Sequence, residues 1–137
     1  MSQQISLASL LLTDIQPSQF YLSQEKLEQV RSWFDPADLS NFMPCPVYDL
    51  NGRIILTDGH TRAYAAYTAG LTMIPLIWET DQLSWDLYQI CVNACEHFGV
   101  HSVADLTGRI LSPEEYEIKW RGWCRAIQNA PAAPPES

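Results

Sequence analysis

Within the run LTDGHTRAYAAYTAG, Leu56 to Gly70, the turn Asp58-Gly59-His60-Thr61-Arg62 places groups suited to an anion between a strand pattern and a small-residue helix pattern. Gly59 lets backbone come close to a ligand. A helix starting here offers N–H donors with no partner inside the helix, and its dipole favours negative charge. Arg62 adds a forked pair of donors that fits phosphate oxygens, a geometry that lysine lacks. His60 and Thr61 add further hydrogen bonds. Ala63, Ala65, Ala66 and Ala69 keep the helix slim, so it can lie close on a sheet. The same residues also read as a plain helix start, with Asp58 as its N-cap and His60 in water.

The flanking sequence must place this turn. PVYDLNGRIILT holds two apolar runs joined by Asn51-Gly52, a pair whose tolerance of positive φ marks a two-residue hairpin turn. Strands are expected near 46–50 and 53–57, with Pro44 and Pro46 fitting an edge or a strand start. A helix then runs from about His60 to Ala69 with Gly70 just past its end. TMIPLIWE gives another strand, carrying Pro75.

Upstream, Gln4 to Ile15 is apolar and is expected to hold one short strand. Ser23 is a natural N-cap for a helix bearing Leu27, Val30 and Phe34, which Pro36 brings to an end. Downstream, Leu83, Leu87, Ile90, Cys91, Ala94 and Phe98 form a helical stripe closed by Gly99. SVADLTGRIL reads as a connector with at most one helical turn. Ser112, Pro113 and Glu115 open a last helix as N-cap, first residue and capping-box partner, with a stripe of Tyr116, Trp120, Trp123, Cys124 and Ile127. Residues 131–137 are expected to be a disordered tail.

The chain has 137 residues, 47% of them hydrophobic, enough for one core. Eight Lys and Arg against sixteen Asp and Glu leave a formal charge of −8. Nucleic-acid binders neutralise phosphates with Lys and Arg, so DNA is disfavoured as a partner, and membrane surfaces are disfavoured by the same sign. A nucleotide needs only a local cation or two. No run of about 18 apolar residues is present. The opening MSQQISLASLLLTDIQ lacks the basic region of a signal peptide, so a cytoplasmic location is expected.

Cys45, Cys91, Cys95 and Cys124 fit reduced, packed thiols better than a disulfide framework. Cys91 and Cys95 share one helix face and, with Cys124 and His97 or His101, make an alternative zinc set. Core packing is preferred, because both cysteines continue the apolar stripe and free Cys is commonly buried.

The run PCPVYDLNGRIILTDGHTRAYAAYTAGLTMIPLIWE resembles the ParB/sulfiredoxin superfamily. The shared features are a Pro-containing strand, a hairpin, a Gly-x-x-Arg turn into an Ala-rich helix, a Gly, and an Ile-Pro strand. The upstream DIQPSQFYLSQEKLEQVRSWF is similar to that family's first box, and the resemblance covers residues 5–80. It implies a compact α+β fold that binds a nucleotide with its phosphates at the Gly59–Arg62 turn. Sulfiredoxins carry Gly-Cys-His-Arg, and His60 stands where their nucleophilic Cys would be, so reductase chemistry is not expected. Partition proteins carry Gly-Glu-Arg-Arg, of which Gly59 and Arg62 remain. The wording is closest to free serine kinases, which carry Asp-Gly-His-His-Arg: Asp58, Gly59, His60 and Arg62 agree, while Thr61 departs. That likeness implies that Asp58 holds a metal–phosphate complex or orients an acceptor hydroxyl, with an N-terminal carboxylate, Asp14 or Glu25, as base.

The expected fold is therefore α+β and ParB/sulfiredoxin-like. Residues 1–80 would be a nucleotide-binding unit with a small mixed sheet, and 81–130 a helical extension packed on it. The expected function is binding of ATP, ADP or CTP, or of another phosphate-bearing small molecule, by Gly59, His60, Thr61 and Arg62. In its enzymatic form this is a small-molecule phosphotransferase with Asp58 and His60 catalytic and Mg²⁺ at Asp58. The competing class is a catalytically silent regulatory or protein-interaction module. In that reading the C-terminal Trp/Tyr helices serve a protein partner or a homodimer contact, since aromatic residues are enriched at interfaces.

Overall fold

The computed structural model describes residues 6–129 and is an α+β protein. Its centre is the hairpin. Asn51 and Gly52 take φ of 54° and 93°, and they join β2 (Cys45–Leu50) to β3 (Arg53–Leu56) with Leu50 opposite Arg53. β4 (Leu76–Trp78) runs parallel to β2, placing Cys45 against Leu76, so β2 is the middle strand of three. Cys45 and Val47 are fully buried on β2, the inward half of its alternation.

Between β3 and β4 the chain makes α2 (His60–Thr68). Ala63, Ala65 and Ala66 are buried on it with Tyr64, which is where small side chains let a helix come close to its neighbours. Gly70, at φ 95°, closes α2: its N–H donates to the Tyr67 carbonyl while that of Leu71 donates to the Ala66 carbonyl. α1 (Gln24–Trp33) packs beside α2, starting where the Ser23 side chain accepts from the Lys26 N–H. Phe34 lies just beyond α1 as its C-cap rather than within its stripe.

The N-terminal segment corrects the expectation of a strand before Ile15. Its first part, residues 4–5, lies outside the described residues; the remainder forms two 3₁₀ turns, Leu7–Ser9 and Leu12–Asp14. Backbone bonds tie it to the rest at isolated points: the Leu12 N–H donates to the Thr72 carbonyl, and Gln16 donates to the Ile54 carbonyl and accepts from the Leu56 N–H in a single bridge beside β3. The apolar positions explain this: Leu7, Leu10, Leu12 and Ile15 lie against the core at uneven spacing, which a strand's strict alternation cannot follow.

A second, two-stranded sheet had no sequence signal. β1 (Leu22–Ser23) pairs in parallel with β5 (Ile110–Leu111), so the connector after α3 returns to the start of α1. One turn of 3₁₀ helix, Val103–Leu106, precedes it, opened by a capping box between Ser102 and Asp105. α3 (Trp85–His97) buries Val92 and Cys95 fully. Its stripe is rotated from the expected one, since Ile90 is 43% and Phe98 45% exposed. Trp85 stacks flat on Tyr48 of β2, ring centres 3.6 Å apart, anchoring the start of α3 on the hairpin.

The last segment opens as expected, with Ser112 capping the Glu115 N–H ahead of α4 (Pro113–Glu115). It then widens into a π-helical stretch, Tyr116–Arg121, before α5 (Gly122–Asn129). Trp120 and Trp123 turn inward onto Phe20, with ring centres 5.0 and 4.8 Å from it. Arg109 completes this cluster: its Nε donates to the Phe20 carbonyl at 2.6 Å and its guanidinium lies over Tyr21. The expected tail, 131–137, lies outside the described residues. Among the described residues no helix is long and apolar enough to cross a membrane.

Candidate functional site

The turn after β3 is built around Gly59. It is the N-cap of α2, at φ 78° and ψ 21°, a left-handed conformation that costs a residue with a Cβ roughly 1–2 kcal/mol. A Cβ there would also lie 2.8 Å from Arg62 Nη2 and 2.8 Å from Cys45 Sγ. The guanidinium of Arg62 therefore lies directly over Gly59, on space that only glycine leaves open. Its Nη2 reaches the Pro44 carbonyl at 3.4 Å, while its Nε is buried with no partner among the described residues. Cys45 closes the underside, its thiol pointing at the Gly59 carbonyl at 3.6 Å; burial pushes that thiol up to about 11, with Arg62 pulling the other way.

Asp58 is not the helix cap, because that position belongs to Gly59, which makes no side-chain cap bond. Its exposed carboxylate lines the cleft beside the turn. His60 is not in water either: it is 4% exposed. Its Nε2 accepts from the Ser18 N–H at 3.0 Å, so the ring proton is on Nδ1. Burial lowers its pKa to about 4, partly offset by Asp58, so the imidazole is neutral near pH 7.

These residues form one end of a cleft of about 370 Å³. Gly59, His60, Thr61 and Arg62 all line it, and Asp58 joins them. The remaining wall comes from elsewhere. α1 contributes Lys26, Gln29, Val30 and Trp33, spaced so that one helix face looks across at the start of α2. Tyr116, from the π-helical stretch, closes the third side, held by Gln19 at 3.1 Å and lying under Lys26 Nζ at 5.7 Å from its ring centre. The wide turn also lets Arg121 reach back over the Tyr116 ring, 5.6 Å from its centre, a contact five residues along that suits π spacing.

Lys26, Gln29 and Trp33 were not singled out from sequence, and Tyr116 was read only as part of the last helix's apolar stripe. The available signal was a large aromatic residue, Trp33, on the polar side of a charged helix, where it remains 43% exposed. Asp14 and Glu25, the two carboxylates expected to supply a base, are exposed and line no part of this cleft. Cys91 and Cys124 are half-buried and Cys95 is fully buried; burial raises all three thiols, Cys91 and Cys95 to about 12. Among the described residues no three His, Cys, Asp or Glu side chains are grouped to hold a metal ion.

Chemically, the cleft joins a helix N-terminus and two cations to two aromatic faces, with one carboxylate at the side. Such a set can hold an anionic group at the α2 end and a flat, apolar group against Trp33. Comparison of the chain with family models, with curated proteins and with solved structures finds no match.

Proposed function

We propose that this cleft binds a nucleotide, its phosphates at Gly59, His60, Thr61 and Arg62 and its base against Trp33. The observation that carries the reading is Arg62. Its guanidinium is laid on a glycine at the start of α2, with a buried Nε that has no partner among the described residues and with Lys26 lining the same space. The guanidinium's one hydrogen bond among the described residues is the long one to the Pro44 carbonyl, which leaves its outer donors for an anion in the cleft. The resemblance of residues 5–80 to the ParB/sulfiredoxin superfamily supports the same use of the turn. Within that reading the ligand is ATP, ADP or CTP in a cytoplasmic protein, and Mg²⁺ binds through Asp58 together with phosphate oxygens, the usual way in which Mg²⁺ is held.

Whether phosphate is then transferred separates two versions. A small-molecule phosphotransferase would use Asp58 to hold the metal and His60 to donate from Nδ1–H. A binding module that transfers nothing is favoured by one observation: Asp58 is the sole carboxylate lining the cleft among the described residues, which leaves no second one there to serve as base. The test is a thermal-shift screen of ATP, ADP, CTP and GTP with and without Mg²⁺, with Arg62→Ala as control. A ligand at about a hundred times its Kd adds roughly 2.7 kcal/mol to the folded state. Stabilisation of the wild type but not of the variant supports the site, and phosphate release from the stabilising nucleotide then decides the version. No stabilisation by any nucleotide ends the proposal.

A further inference from the structure

Beyond Tyr116 lies a second hollow of about 360 Å³, which shares Lys26 and Tyr116 with the cleft and adds Trp120, Arg121 and Arg125. Three of the chain's eight Lys and Arg residues line it, and among the described residues no Asp or Glu does. In a chain of formal charge −8, that is an uneven placement.

The backbone is shaped to produce it. Residues five apart in an ordinary α-helix lie on different sides, because one turn takes 3.6 residues. The π-helical stretch Tyr116–Arg121 removes that offset and brings Arg121 over the Tyr116 ring. Arg125 follows four residues later, in α5, on the same side. Widened turns of this kind are rare and recur at functional sites.

The positive charges of the hollow are only partly cancelled. Both arginines reach Glu117, whose carboxylate stands 3.7 Å from Arg121 Nε and 2.9 Å from Arg125 Nη1. Lys26 Nζ has no ion-pair or hydrogen-bond partner among the described residues, only the Tyr116 ring at 5.7 Å. Three cations against one carboxylate leave two positive charges uncompensated, which matches the charge of a phosphate monoester. The Tyr116 hydroxyl accepts from Gln19 Nε2 at 3.1 Å and keeps its own hydrogen to donate.

The geometry points to a second anion site, for the phosphate of a small phosphate monoester held between Lys26, Arg121 and Arg125, with its organic body against Trp120. The two guanidinium forks fit phosphate oxygens, and the volume is that of a small-molecule pocket. This site is independent of the nucleotide reading, because it needs neither Arg62 nor the Gly59 turn.

The test is isothermal titration of the full chain carrying Arg62→Ala, at low salt in mildly alkaline solution, where a phosphate monoester is a dianion. The probes are phenyl phosphate and benzenesulfonate, alike in ring and in tetrahedral oxygens, the first a dianion and the second a monoanion. Phenyl phosphate is expected to bind roughly tenfold more tightly. Arg121→Gln and Arg125→Gln together should weaken it by roughly tenfold or more, the scale of a charge-assisted hydrogen bond. Both side chains are more than half exposed, so the fold does not depend on them. Lys119→Gln, a loss of charge on the same stretch but outside the hollow, should change binding by less than about twofold. Glu117→Gln should tighten binding, because it frees both arginines and removes the opposing charge. Equal binding of the two probes, no binding of phenyl phosphate, or a double variant that binds as its parent does would each overturn the proposal. So would a loss as large in Lys119→Gln, or weaker binding in Glu117→Gln. The titrations are made without Arg62, so their result is separate from the fate of the nucleotide site.

Discussion

The Nε2 atom of His60 accepts the backbone N–H of Ser18 at 3.0 Å, and this bond exists only while the imidazole is neutral. Burial sets the folded-state pKa near 4 against an ordinary 6.5. The unfolded chain therefore takes up a proton that the folded one refuses between those values. The stability owed to neutral His60 is complete above about pH 6.5 and is lost as pH falls towards 4, on the order of 3 kcal/mol in all. His60→Gln should flatten that part of the pH profile in urea unfolding, compared with wild type. Parallel decline of the two proteins across this window would show that His60 is not what titrates.

Gly59→Ala should cost more than an ordinary surface change. The left-handed backbone alone penalises alanine by roughly 1–2 kcal/mol, and the new Cβ would meet Arg62 Nη2 and Cys45 Sγ at 2.8 Å each. Cys45 is fixed in β2, so Arg62 has to give way. The expected result is a lower urea midpoint together with loss of nucleotide-induced stabilisation. A variant as stable as wild type would contradict the close approach.

Trp33 separates a nucleotide site from a bare phosphate site. It is 43% exposed and lines the cleft away from the α2 turn. Trp33→Leu is expected to weaken nucleotide binding by about 1–3 kcal/mol, the scale of a base stacked on an aromatic ring, and to leave pyrophosphate binding alone. Isothermal titration with both ligands checks this. Equal loss for both would mean that the ring shapes the cleft without touching a base.

Phe20→Ala should open the core where three aromatic rings converge. Phe20 is 2% exposed and meets Trp120, Trp123 and Phe98 with ring centres within 4.8–5.0 Å. Truncating a buried Phe typically costs about 3–5 kcal/mol. Denaturant unfolding followed by tryptophan fluorescence reads both the stability and the loosened Trp120 and Trp123. A loss well below about 1 kcal/mol, the scale of an ordinary substitution, would mean the cluster is a soft surface contact.

The hairpin was readable because Asn51-Gly52 prefers the φ values it adopts, and the starts of α1 and α4 because Ser23 and Ser112 satisfy N–H groups locally. Such features depend on a few adjacent residues. β1 and β5 were not readable: two residues carry no periodicity, and their pairing is decided by packing between distant parts of the chain. The π-helical stretch was hidden for a related reason, since Tyr116 and Trp120 sit where an ordinary helical stripe would also put them. The turn end of the cleft was visible as Asp58 to Arg62. Its other walls, Lys26, Trp33 and Tyr116, are polar-face or stripe residues until the fold sets them around one space.

Arg109 donates to the carbonyl of Phe20 across 89 residues of chain, and β5 beside it pairs with β1. Such distant closures slow folding, because the loop must be gathered before the contact repays it. During synthesis, at about 5–20 residues per second, Phe20 waits on the order of ten seconds for Arg109, and longer for Trp120. In that interval α1 and α2 can form, but Phe20 stays bare and the cleft lacks its Tyr116 side. On the nucleotide reading, a complete cleft would thus arrive only with the π-helical stretch, well after the turn proposed to hold the phosphate has been made.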